Sequence, residues 1–174
     1  MENETIYIHY GASEFDPNIG FPIKNIPGGH VKPIGGFWAC QVDSEDDWED
    51  WCGRERFPFD DSKSIKFKLT PNANVVYLRT YKDLKQLPEV TPYYLPMSRC
   101  KIHYLIDFEK CVEQGIDAIE LQYFGYDWVQ TKEEEDDGEE YIWGNKQLGQ
   151  ILNGWDCDSI VILNPNIVEV IKED

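Results

Sequence analysis

Asp158-Ser159-Ile160-Val161-Ile162-Leu163-Asn164-Pro165 is the stretch that decides the fold. Four consecutive apolar residues, three of them β-branched, lie between polar residues on one side and an Asn-Pro turn on the other. That reads as a strand over Asp158 to Leu163, followed by a turn at Asn164-Pro165. Working outward, Thr5 to Tyr10 (TIYIHY) reads as an early strand ending at Gly11, and Phe37 to Val42 (FWACQV) as a short strand leaving a turn-rich segment over 11–36. Ile65 to Leu69 and Asn74 to Thr80 flank a Thr70-Pro71-Asn72 turn. Ile116 to Tyr123 and Ile167 to Ile171 complete the strands.

Helices are fewer. Ser44 is a candidate cap for a helix through Trp48, Trp51 and Cys52, with acids in its first turn where the helix dipole favours them. The i, i+3 spacing of Trp48 and Trp51 reads as ordinary core packing. A short helix is expected at Tyr81 to Leu87, and a better one after Asp107, with Phe108, Cys111 and Val112 as its apolar face and Gly115 as its stop. Tyr141 to Leu152 is expected to be helical. Strands outnumber helices and do not alternate with them regularly, so the expected class is α+β: a single domain over 1–174 with mixed, mostly antiparallel sheets and a few flanking helices.

The chain has 174 residues, 41% of them hydrophobic and 14% aromatic, enough for a core without metal or disulfide staples. Its five cysteines are odd in number, and no two are spaced C-x-x-C, which argues against a disulfide framework or a structural zinc site. His9, His30 and His103 lack ligand spacing. No apolar run approaches the ~20 residues of a membrane span. Met1-Glu2-Asn3-Glu4 lacks the basic start of a signal peptide, so a cytoplasmic location is expected. The formal net charge is −17, and two runs carry most of it: Asp43 to Asp50 with six acids and Glu133 to Glu140 with seven, neither containing Lys or Arg. Such a surface repels phosphate backbones, making direct nucleic-acid binding an unlikely role. Thr131 to Glu140 reads as a mobile loop.

Three short segments carry candidate chemistry. His9 and Tyr10 end the first strand, Gly35-Gly36-Phe37-Trp38-Ala39 opens the second, and Trp155-Asp156-Cys157-Asp158-Ser159 leads into the near-terminal one. Imidazole can hydrogen-bond a ribose hydroxyl, an aromatic ring can stack on a nicotinamide, and a carboxylate can stabilise a developing oxocarbenium ion. Taken singly, His9 reads as a half-buried hydrogen-bonded residue, Trp38 as core, and Asp156 and Asp158 as solvent-facing acids at a strand end.

In this order the segments resemble the ADP-ribosyltransferase superfamily of the His-Tyr-Glu type, which uses NAD. Ile8-His9-Tyr10-Gly11 is similar to its first core strand, and Gly36-Phe37-Trp38-Ala39 to its glycine–aromatic–Ala strand. Asp158 to Pro165 is similar to its last motif, and Gly115 to Ile119 to its glycine–aromatic–Asp-Ala strand. The glutamate of the last motif is absent, with Asp156, Asp158 or Ser159 in its place. The resemblance implies an ADP-ribosyltransferase or NAD glycohydrolase fold and activity, with NAD as substrate and a protein or small molecule as acceptor. It places Asp158, with Asp156 beside it, in the catalytic role. His9, Tyr10, Gly36, Phe37 and Trp38 would bind NAD; the stacking ring is one of Tyr10, Phe37 and Trp38, with Trp38 preferred for its size. Glu120 is a reserve acid. The contrasting expectation is a non-catalytic acidic interaction or inhibitor protein whose acid runs engage a basic partner surface.

Overall fold

The computed structural model of the chain describes residues 4–26, 32–79, 81–90, 106–122, 152 and 154–172. Seven strands form one sheet: β1 (Tyr7–Tyr10), β2 (Phe37–Gln41), β3 (Ser64–Leu69), β4 (Val75–Leu78), β5 (Ala118–Leu121), β6 (Ser159–Ile162) and β7 (Val168–Val170). Their order is β4-β5-β6-β2-β1-β3-β7, and every neighbouring pair is antiparallel except β4 and β5. The helices are α1 (Trp48–Glu55), α2 (Tyr81–Leu84) and α3 (Phe108–Glu113), with a 3-10 turn at Pro165–Ile167. The α+β class and the antiparallel bias thus match the expectation. β1 and β6, distant in sequence, both pair with β2.

Chain length forces the sheet to curl. β3 and β4 are five strand spacings apart in the sheet order, about 24 Å across a flat sheet. Only residues 70–74 join them, a reach of about 20 Å even when fully extended, and Ala73 N–H closes a turn onto Thr70 C=O at 3.0 Å. The sheet therefore bends around an interior. Alternation along each strand fills that interior with Tyr7, Ala39, Phe67, Ala118, Ile160 and Ile162, and Ile167 seals it beside them. The opposite face of β4, β5 and β6 presents Leu78, Ile119, Leu121, Val161 and Leu163 to Leu84, Leu87, Phe108 and Cys111 around α2 and α3. Each such aliphatic side chain, fully buried, contributes about 1.5–3 kcal/mol. β5 and β6 are the strands buried on both faces.

Asp117 stitches the ends of three strands together. Its carboxylate accepts from Asn74 N–H at 2.9 Å and Asn164 Nδ2 at 2.7 Å, and its carbonyl accepts from Leu163 N–H at 2.8 Å. Asn164 in turn caps the 3-10 turn that replaces the expected Asn-Pro turn.

Four local expectations are corrected. Asp47, not Ser44, caps α1, accepting from Asp50 N–H at 2.9 Å; Ser44 is turned toward Asp158 instead. Trp48 and Trp51 are half-exposed, and Cys52 is the buried residue of α1. Val112 is 42% exposed, so α3 packs through Phe108 and Cys111. The helix expected over 81–87 stops at Leu84, short of Pro88. The cap at Asp107 and the stop at Gly115 (φ +75°) are as expected. The helix expected at 141–152 and the acidic loop at 131–140 lie outside the described residues, Leu152 excepted.

Candidate active site

The antiparallel pairing of β1 with β2 sends their side chains to alternate faces. Tyr7 pairs with Gln41 and Ile8 with Cys40. His9, Phe37 and Gln41 follow Tyr7 toward the interior, while Tyr10 and Trp38 follow Ile8 and Cys40 to the other face. On that face lies a cavity of about 270 Å³. Tyr10 and Trp38 line it from the strands and His9 borders it with its ring turned to the inner face; Trp48 lines it from α1, Lys32 from the loop before β2, and Asp156, Cys157, Asp158 and Ser159 from the segment entering β6.

The Trp38 indole meets Trp155 edge-on at 4.9 Å, and the Lys32 ammonium lies 5.0 Å from its ring centre. Gly154, at φ +93°, leaves room for the Lys32 stem, since a Cβ there would come within 3.2 Å of Lys32 Cε. Tyr10 packs edge-on to Phe59 at 4.9 Å. Burial, with the charges of Cys40, Asp47, Glu49 and Asp61 adding to it, pushes its phenol up to about 12. Tyr10 is thus neutral at physiological pH.

The His9 ring packs tilted, at 32°, against Phe37 with centroids 4.3 Å apart, and its Nδ1 lies 2.6 Å from the Trp38 carbonyl. A carbonyl only accepts, so Nδ1 carries the proton and Nε2 of the neutral ring is left as an acceptor. Burial lowers the imidazole below its ordinary value, outweighing the carbonyl contact that raises it.

Asp158 is half-buried and Asp156 exposed. The Asp158 N–H donates to the Asp46 carbonyl at 2.8 Å, and Ser44 Oγ donates to Asp158 Oδ2 at 3.0 Å. Arg54 forms an ion pair with the Asp46 carboxylate. The acidic stretch after β2 is therefore partly a strap across the start of β6. Cys40 and Cys157 are buried free thiols; burial pushes Cys40 up to about 11 and raises Cys157 further, so neither is a thiolate nucleophile at neutral pH.

Gly36 and Phe37 lie elsewhere. A Cβ on Gly36 (φ +82°) would sit 2.7 Å from Val161 Cγ2, so its lack of a side chain lets the loop press onto β6. The Phe37 ring joins Phe15 and Phe67 at 4.8 and 5.4 Å, on the inner face. Neither residue lines the cavity.

A second cavity of about 200 Å³ adjoins the first, with Asp158 and Ser159 in both walls. Its floor is Glu120, 2% exposed on β5. Tyr7 donates to Glu120 Oε2 at 2.6 Å, and Gln122 Nε2 to Oε1 at 2.9 Å; Gln41 Nε2 donates to Oε1 as well. Burial raises the carboxyl above its ordinary value despite these three donors, and the same burial, with Glu120 beside it, raises Tyr7 far above the ordinary phenol range. Tyr7 and Gln41 escape a motif search, although two-residue alternation from His9 and Ala39 puts them on the inner face. Lys32 sits in a loop with no sequence signal at all. No group of three or more metal-ligating side chains occurs among the described residues, and no helix there is long and apolar enough to cross a membrane.

No family model, curated protein or solved structure matches the chain.

Proposed function

We propose that the first cavity binds NAD and cleaves its nicotinamide–ribose bond, passing ADP-ribose to an acceptor or to water, in the cytoplasm. The observation that carries this reading is the meeting of His9, Tyr10, Trp38, Asp156 and Asp158 around one cavity, from three segments far apart in sequence. The resemblance to His-Tyr-Glu ADP-ribosyltransferases supports it independently of that geometry.

The chemistry suits these groups. The indole of Trp38 offers a flat stacking surface for the nicotinamide ring, and the Asp156 and Asp158 carboxylates on the same cavity wall favour its positive charge. Lys32 supplies a positive charge for the pyrophosphate, while His9, its ring turned to the inner face against Phe37, supports the cavity wall from behind. As the bond from C1′ to the ring nitrogen breaks, the electron pair leaves with neutral nicotinamide and positive charge develops on the ribose. The Asp158 carboxylate stabilises that charge, held in place by Ser44 and by its own N–H bond to Asp46. Water or an acceptor hydroxyl, amine or guanidine group then attacks C1′ and releases a proton.

The test is nicotinamide release from NAD. Asp158→Asn is expected to lower turnover about 10²- to 10³-fold while NAD affinity changes only a few-fold, because the carboxylate acts on charge present only in the transition state. Absence of NAD binding by the unmodified protein at millimolar ligand would overturn the reading in favour of a non-catalytic acidic interaction protein.

A further inference from the structure

Helix α1 is built to be covered by something. An eight-residue helix is held to its domain by its apolar stripe, yet the buried residue of α1 is Cys52. Its two indoles are half-exposed and stack on each other, 4.8 Å apart with 15° between planes. Arg56, in the left-handed conformation at φ 56°, turns the chain back so that Phe57 N–H bonds the Cys52 carbonyl at 2.9 Å. That return sets the Phe57 ring 5.9 Å from Trp48 and 5.6 Å from Trp51, while Phe57 stays 52% exposed. Three large rings thus form one outward-facing cluster among the described residues.

The charge around the cluster selects its occupant. Glu49 and Asp50 are exposed on α1 beside the rings, Arg54 is tied to Asp46, and Arg56 is the exposed cation at the helix end. Glu49 and Asp47 lie close enough to Tyr10 to help raise its phenol, so the negative field reaches the cavity mouth. An apolar partner would strand these carboxylates against a dry surface, and an acidic one would be repelled. A cation over an indole face is attracted by the ring and by the acids together.

We propose that the Trp48–Trp51–Phe57 cluster is a docking surface for an arginine- and lysine-rich segment of a partner protein, whose cationic side chains lie over the indoles. Trp48 also lines the first cavity, so a segment docked here passes its mouth. This assignment does not depend on the NAD reading.

The test is calorimetric titration of the full chain with octaarginine, octalysine and octaglutamate peptides at low and physiological salt. Micromolar binding of the basic peptides alone is expected, with Trp51→Ala and Phe57→Ala each weakening it about three- to tenfold and Trp51→Phe largely preserving it. Circular dichroism confirms that each variant is folded, and Trp51→Phe keeps the test decisive if Trp51→Ala is not. Equal affinity for Trp51→Ala and Phe57→Ala, with affinity lost only in Glu49→Gln with Asp50→Asn, would reduce the contact to non-specific charge attraction and overturn the proposal. Failure of the unmodified protein to bind at low salt would do the same.

Discussion

The two cavities share Asp158 and Ser159 but treat a carboxylate in opposite ways. In the second, Glu120 is buried on β5 and accepts from Tyr7 on Oε2 and from Gln41 and Gln122 on Oε1. In the first, Asp158 stands at the start of a strand, half-buried, with Ser44 on one oxygen and a cavity beside it. An acid 2% exposed and held by three donors organises the fold; the half-buried Asp158 lies on the wall of both cavities. The contrast gives Glu120, the reserve acid, a structural part, while the proposed chemistry rests on Asp158.

The largest expected effect on stability lies at Glu120. Glu120→Ala removes the acceptor of the buried Tyr7 hydroxyl and of the half-buried Gln41 and Gln122 amides and opens a cavity, a loss of about 3 kcal/mol in urea denaturation. A loss below ~1 kcal/mol would mean that Glu120 is not the organising centre of the inner face. Trp38→Ala is expected to weaken NAD binding about tenfold by removing the ring under the nicotinamide, with Trp38→Phe intermediate, as isothermal titration would show. Unchanged affinity in Trp38→Ala would move the stacking role to Tyr10.

A smaller effect is the dependence of stability on pH. Glu120 has its folded value raised, so from the ordinary carboxylate value upward the unfolded chain ionises first and binds fewer protons. Its contribution is fully present below that value and is lost as pH rises through the folded one. Glu120→Gln, which keeps an acceptor, should flatten this decline, and its stability relative to the unmodified protein should increase with pH. His9 has the opposite sign: its lowered folded value makes its contribution disappear as pH falls below the ordinary imidazole value of 6.5. Denaturation curves between pH 4 and 9 that show no Glu120-dependent slope would contradict the raised value (the pH limits being chosen to span roughly both ordinary values).

What was legible in the sequence follows from how local each signal is. Ile160-Val161-Ile162 and the alternation in Thr5 to Tyr10 announce strands because periodicity and β-branching act over a few residues. The caps at Asp107 and Gly115 are equally local. The curl of the sheet is not, because it arises from a five-residue link between β3 and β4 that only the strand order makes short. Glu120 was visible only as an acid in an apolar strand; its partners Tyr7 and Gln41 lie 113 and 79 residues away. Ser44 and Asp47 were interchangeable as caps by residue type, and tertiary bonding to Asp158 decided between them. The Trp48–Trp51 spacing reported neighbouring rings correctly, but helical spacing alone does not say which way a helix face points.

The most direct measurement is nicotinamide release from NAD by the unmodified protein, Asp158→Asn and Glu120→Gln under the same conditions. Asp158→Asn should fall about 10²- to 10³-fold, and Glu120→Gln should stay within a few-fold of the unmodified protein. Loss of turnover in Glu120→Gln with activity retained in Asp158→Asn would contradict this division between the two cavities and place the reacting carboxylate on β5.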